Sequence, residues 1–320
     1  MTYQSHQFDS PHFNLEEIAA GVFAVLHKSG GAAIANAGII DLSNHTLIFD
    51  TFISHIAAQD LRLAAEQLTG RPVTFVINSH YHNDHIRGNQ VFSDAKIFAT
   101  YQTMELIKTD GERELSWDQG ASERYEEMLL QREEALPTEP DQNLDFFLDY
   151  YRVISESLPG LKMRLPDTTF DEQLSFEGFA RKAVLYCYGG GHTGSDAILY
   201  LPEDHIAFVA DLLFVRCHPY LADGSPNEWL GHIEKIKKLD IKVIVPGHGA
   251  VGTPGDSELM QQYIRASMQI IDTAIAAGDS NEGVENMQVP SQYDDWEFES
   301  FFYSNLRFLY SYQTENNQAE

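Results

Sequence analysis

The chain is poor in cysteine, in basic residues and in long apolar runs, and each shortage removes a class of protein. Two cysteines, Cys187 and Cys217, in 320 residues cannot make a disulfide framework, and neither sits in a CxxC pair. Lys and Arg number 21 against 48 Asp and Glu, a formal charge of -27. A surface that acidic repels phosphate polymers and anionic lipid over a Debye length of about 8–10 Å, so neither nucleic acid nor a membrane is expected as a partner. No stretch approaches the roughly 18 consecutive apolar residues of a membrane span. Met1 to Ser10 is polar, without the basic-then-apolar order of a signal peptide. The chain reads as soluble, with its localisation open between cytoplasm and export.

What is present is enough for a large core: 43% of the residues are hydrophobic. Gly21 to His27, Ala33 to Asp41 and Thr46 to Asp50 are short β-rich runs broken by turn residues, an antiparallel meander. Ile56 to Leu68 has helical periodicity and stops at Thr69-Gly70-Arg71-Pro72. Val73 to Asn78 and Lys96 to Thr100 read as strands, and Tyr101 to Lys108 as a helix. Later strands are expected at Thr168 to Phe176, Lys182 to Tyr188, Ala197 to Leu201, His205 to Ala210 and Val243 to Pro246. Helices are expected at Asn227 to Leu239 and Ser257 to Ala277, and the aromatic tail Trp296 to Tyr312 as a docked helix.

Between Asp110 and Pro166 the texture turns Glu-rich and helix-forming, split by Pro137-Thr138-Glu139-Pro140 into two helices. In the second, Phe147, Tyr150, Tyr151, Ile154 and Leu158 share one face. That face either docks on the main body or on the partner of a homodimer, or walls a substrate pocket as a lid. The expected organisation is therefore an α/β body over 1–109 and 167–320, with a helical insertion over 110–166.

His80-Tyr81-His82-Asn83-Asp84-His85 packs three imidazoles and a carboxylate into six residues directly after a strand-like run. Those are the ligand types that borderline divalent ions such as zinc prefer. Three further strand ends carry a potential ligand: His192 in Gly189-Gly190-Gly191-His192-Thr193-Gly194-Ser195-Asp196, Asp211 in Val209-Ala210-Asp211, and His248 in Pro246-Gly247-His248-Gly249.

HxHxDH, GHTGSD, the Asp of VADLLF and PGHG, in that order, resemble the metallo-β-lactamase superfamily of αββα metallohydrolases. The resemblance implies a four-layer αββα sandwich and two divalent metal ions, zinc first, with iron or manganese as alternatives. It implies His80, His82 and His192 on one ion, Asp84, His85 and His248 on the other, and Asp211 bridging. Asp50 matches the family's acidic brace behind the metal loop, and Thr193 is expected beside it in that supporting role. Two such ions lower the pKa of water from 15.7 toward about 7, and Asp84 is the expected catalytic carboxylate that orients it. The implied reaction is attack by a metal-bridging hydroxide on a small ester, thioester, lactone or β-lactam-like amide.

Asp rather than Cys at the bridging position departs from the cysteine-bearing β-lactamase subclasses and is similar to glyoxalase II and lactonase branches. A persulfide-dioxygenase-like enzyme with one iron and a phosphodiesterase for small molecules are the alternatives. Flavodiiron proteins place Glu where this chain has His82 and fit poorly. His55 and His218 follow strand ends and are candidate substrate contacts, whereas His6, His12, His27, His45, His205 and His232 read as structural. Arg87 and Asn89 are expected to brace the loop.

Overall fold

The computed structural model describes residues 8–134 and 142–319. The meander begins one strand earlier than the sequence pattern suggested, with β1 (Phe13–Ala19), β2 (Val22–His27), β3 (Ala37–Asp41) and β4 (Thr46–Phe49) paired antiparallel. Strands β5 (Val73–Ile77), β6 (Lys96–Thr100) and β7 (Thr168–Phe170) then add in parallel, giving a seven-stranded sheet in the order β1 to β7. The run Thr168 to Phe176, expected as one strand, divides at Asp171 and Glu172. Its second half, β8 (Gln173–Glu177), belongs to the other sheet. That sheet runs β12-β11-β10-β9-β8, with β9 (Lys182–Cys187), β10 (Ala197–Leu201), β11 (Ile206–Val215) and β12 (Val243–Gly249).

The two sheets face each other across an apolar layer that includes Ile40, Leu47, Phe49 and Ile77 from the first and Leu185, Leu199, Phe208 and Val245 from the second. Helix α1 (His55–Thr69) covers the outer face of the first sheet. Ser54 caps its start by accepting from the Ala57 amide at 3.1 Å, and Gly70 ends it in the left-handed region. α6 (Pro226–Ile236), α7 (Pro254–Ala277) and α8 (Glu299–Ala319) cover the second sheet, α7 opening with a Thr253/Asp256 capping box. The architecture is thus αββα, the layering expected from two β-rich halves each followed by helices. No helix among the described residues is long and apolar enough to cross a membrane.

Between β6 and β7 lie α3 (Tyr101–Asp118), which continues ten residues past the predicted Lys108, α4 (Ala121–Glu134) and α5 (Gln142–Ser157). The Pro137 to Pro140 break lies outside the described residues. α5 docks on the start of α8: the Phe146 and Phe298 rings are 4.3 Å apart between centroids. At the other end of the segment, Arg87 and Asp118 form an ion pair with both side chains about 1% exposed, tying α3 to the loop that follows β5.

Candidate metal centre

β5 delivers the first half of the site. The strand is β-branched and apolar, as a central parallel strand requires, and the chain leaves it through Asn78-Ser79-His80 into the short helix α2 (Asn83–Ile86). His80 and His85 are buried, and His82 and Asp84 are partly exposed. From the second sheet come His192, on the glycine-rich turn between β9 and β10, Asp211 of β11, and His248 of β12. Asp211, expected at a strand end, lies inside β11, where the pairing with β12 shifts register between Ala210 and Phe214. Ala210 has φ 46°, a conformation costly for an L-residue, and this kink accompanies the turn of the next side chain into the site.

Two groups of ligand atoms result, each with its atoms within 4.8 Å of one another: His80, His82, His192 and Asp211 in one, Asp84, His85 and His248 in the other. Asp211 also reaches the second group. Its Oδ1 is 3.1 Å from His85 Nε2, and its Oδ2 is 3.3 Å from His192 Nε2 and 3.4 Å from His248 Nε2. Asp84 Oδ2 lies 3.3 Å from His248 Nε2.

The surrounding hydrogen bonds fix which ring nitrogen of each histidine points inward. Asp50, itself at φ 61°, accepts from the Ser79 amide and Ser79 Oγ, both at 2.8 Å, and from His85 Nδ1 at 2.8 Å. Because the Ser79 hydroxyl proton goes to Asp50, Ser79 Oγ must accept from His80 Nδ1, 2.9 Å away. His192 Nδ1 donates to the Tyr220 carbonyl at 3.0 Å, and His82 Nε2 to Asp223 at 3.0 Å. The inward nitrogens are therefore Nε2 of His80, His85 and His192 and Nδ1 of His82, all lone-pair donors. His192 Nε2 and His82 Nδ1 stand 2.9 Å apart. Two lone pairs that close repel unless a cation lies between them. His80 Nε2, His85 Nε2 and Asp211 Oδ1 are buried with no hydrogen-bond partner, a costly state for a neutral interior. The donor set fits a pair of borderline divalent ions.

The charges agree with this. Burial pushes Asp84 and Asp211 toward neutrality, yet the imidazoles around them hold Asp84 at about 2 and Asp211 well below the ordinary range. Burial likewise opposes charge on His85 and His248, and Asp211 and Asp84 reverse it, raising His85 well above its usual value and His248 to about 9. Burial drives His80 well down and His192 to about 3, so both remain neutral. Two protonated imidazoles, His85 and His248, thus balance the two ionised carboxylates, a positive charge that divalent ions would supply in their place.

The remaining sequence candidates fall in different places. Asp50 lies directly behind His80 and His85. Thr193 touches no ligand atom; its amide and hydroxyl bond the buried Asp196 and so shape the turn that carries His192. His218 is fully buried, bonded to the Tyr263 hydroxyl at 3.0 Å and packed on Trp296 and Phe302. His55 begins α1 and sits against Gly160. Neither lines the cavity above the ligand groups, so a substrate there meets neither. Asn89 braces the loop through mutual bonds with Asn78 and one from Thr51. His27, read as structural, is half-buried edge-on to His248 at 6.3 Å, its pKa lowered to about 4 by desolvation and that neighbour.

The cavity measures about 300 Å³. Asp84, Asp211, His82, His192 and His248 form its base; Trp117 of α3, four aromatic residues of α5, and Phe298 and Phe301 form its walls. The face of α5 thus both docks on α8 and walls the cavity. Asp223, which also receives the Tyr81 hydroxyl at 2.8 Å, lies at its edge. Asp223 gave no sign in the sequence beyond an ordinary Asp-Gly turn. Ser79 carried the one available hint, its place beside His80.

A model described as the metallo-β-lactamase superfamily matches residues 30–248. A metallo-β-lactamase type 2 of Bacillus cereus is 26% identical over 235 residues, 71% of this chain and 72% of its own length. Among solved structures, a metallo-β-lactamase from Pontibacter korlensis superposes with a TM-score of 0.56 at 16% identity, covering 79% of this chain and 99% of that one. TMB-1 does so with 0.57 at 16% identity, covering 81% and 99%. The fold, the order of the ligand segments and the match across most of the chain agree, and the chain belongs to the metallo-β-lactamase superfamily.

Proposed function

We propose that the protein is a hydrolase using two divalent ions, zinc foremost, to cleave a small carbonyl substrate: an ester, thioester, lactone or β-lactam-like amide. The observation that carries this reading is the pair of complete ligand groups joined through Asp211, with His80 Nε2, His85 Nε2 and Asp211 Oδ1 buried and outside hydrogen-bond geometry. His80, His82 and His192 would hold one ion, Asp84, His85 and His248 the other, and Asp211 both. Such ions supply water acidified toward neutrality and a counter-charge for the oxyanion that follows attack.

The protein's own residues do the rest. Asp50 and Ser79 keep the proton of His85 and His80 on Nδ1, and Asp223 keeps that of His82 on Nε2, so the coordinating nitrogens stay free. Asp84, ionised and at the cavity floor, accepts a hydrogen bond from the attacking water and orients it. The aromatic walls hold the acyl group and exclude bulk water, which strengthens every electrostatic interaction inside. Asp211 would stand where the cysteine-bearing β-lactamase subclasses have a softer thiolate, which favours a carbonyl hydrolase outside those subclasses.

A panel of lactones, thioesters, carboxylate esters, β-lactams and phosphodiesters, assayed with and without chelator, tests the reading. Turnover of a carbonyl compound that stops with chelator and returns with zinc is expected. Turnover of phosphodiesters alone, or one iron per chain with oxygen uptake, would replace it. Asp84→Asn should keep its metal and lose most of kcat; unchanged turnover would remove Asp84 from the chemistry.

A further inference from the structure

We infer that the cavity accepts an acyl group that is apolar and carries no anionic group, and that carboxylate-bearing congeners are poor ligands. This rests on the hydrolase reading for its reaction but on the cavity walls for its content. Of the residues lining the cavity, none is Lys or Arg. Phe146, Phe147, Tyr150 and Tyr151 come from α5, Trp117 from α3, and Phe298 and Phe301 from the other side. The charged side chains at its surface outside the histidines are Asp84, Asp211 and Asp223, all acids.

Cations do occur nearby, and each is engaged elsewhere. The Arg124 guanidinium stacks on the rings of Trp117 and Tyr151, at 4.4 and 5.0 Å from their centroids, donates to the Trp117 carbonyl, and is not a lining residue. Lys28 lines a neighbouring chamber of about 220 Å³ that shares Ile34, Phe146 and Phe298 with the first, but its ammonium donates to the Ser10 carbonyl at 2.6 Å. Beside His27 and Ser29, that chamber is also lined by the acids Asp145, Asp149 and Glu297.

A carboxylate placed among these walls would lose its water with no cation to replace it, and would face acids on two sides. Among the described residues lining the cavity, the positive charge within reach would be that of the metal centre and its own imidazoles at the floor, not of the walls. A neutral alkyl or aryl group loses little on leaving water and gains contact with seven rings, with edge or face geometry available from either side.

The test compares two esters of equal carbon-chain length, 4-nitrophenyl butyrate and the 4-nitrophenyl monoester of succinic acid, each corrected for its rate without enzyme, together with binding of butyramide-type and carboxylate-bearing amides to the chelator-treated protein by calorimetry. The neutral ester is expected to have a kcat/KM about 100-fold higher, and the neutral amide alone to bind the metal-free protein. Tyr151→Lys sets an ammonium in the wall and should raise the succinate ester relative to the butyrate ester, a gain that misfolding cannot imitate. Equal or faster turnover of the succinate ester, or tighter carboxylate binding by the metal-free protein, overturns the inference. Absence of chelator-sensitive turnover with either ester would instead count against the hydrolase reading, and the calorimetry would still decide the wall chemistry.

Discussion

At Gly247 the chain passes so close to Asp211 that a Cβ would lie 1.8 Å from Oδ1. Glycine there makes room for the carboxylate that touches both ligand groups. Gly247→Ala should therefore leave the far-ultraviolet circular dichroism intact while elemental analysis finds bound metal reduced by half or more, because Asp211 must swing away. A second residue sets a pH dependence. Asp196 is buried under the His192 turn, and burial outweighs its bonds from Thr193, raising its pKa from 3.8 to about 7. The folded protein holds this proton more tightly than the unfolded chain. Its contribution is therefore complete below pH about 4 and is lost as pH rises through about 7, with a ceiling of about 4 kcal/mol. Denaturant midpoints of metal-free protein should fall between pH 5 and 8, and Asp196→Asn should flatten that slope. At this scale the motif histidines were legible, because few structural roles ask for so many imidazoles in six residues. Asp223 and the Tyr220 carbonyl were not. Their role comes from a loop brought in by the second sheet, and a backbone carbonyl has no sequence signature at all.

Among the elements, the segment between β6 and β7 shows most clearly what periodicity can and cannot specify. The shared face of Phe147, Tyr150, Tyr151 and Ile154 was visible as spacing; whether it packed or walled a pocket was not, and it does both because docking on α8 leaves its upper rings over the cavity. The length of α3 was underestimated because its second half is held by tertiary contact, above all Asp118 on Arg87, and not by an apolar stripe of its own. Removing one partner strands a buried charge. Asp118→Ala should cost about 3–5 kcal/mol, read as a lower denaturation midpoint. Full stability in that variant would show the pair to be dispensable. The division of Thr168 to Phe176 into β7 and β8 escaped notice for a related reason. Asp171 and Glu172, which strands disfavour, are the local mark of the break, but two acidic residues without Gly or Pro do not read as the point where a chain leaves one sheet for the other.

Over the whole molecule, a formal charge of -27 makes self-repulsion a general term in stability. Raising salt from about 0.05 to about 0.5 M shortens the Debye length and should raise Tm by about 2–4 °C, on the order of 1 kcal/mol for a chain of this size. A fall would mean that the surface ion pairs outweigh the repulsion. Family and layering were readable at this scale because four ligand segments occur in a fixed order; the substrate was not, since the ligands are indifferent to what the walls admit. The ligands are drawn from both sheets: His80 to His85 from the first, His192, Asp211 and His248 from the second. During synthesis the first half of the site emerges and waits, without partners, until Gly247 and His248 have been made and the sheets have closed on each other. Both ligand groups are therefore complete only in a chain that is already folded, so an ion held between the two halves would report a finished molecule.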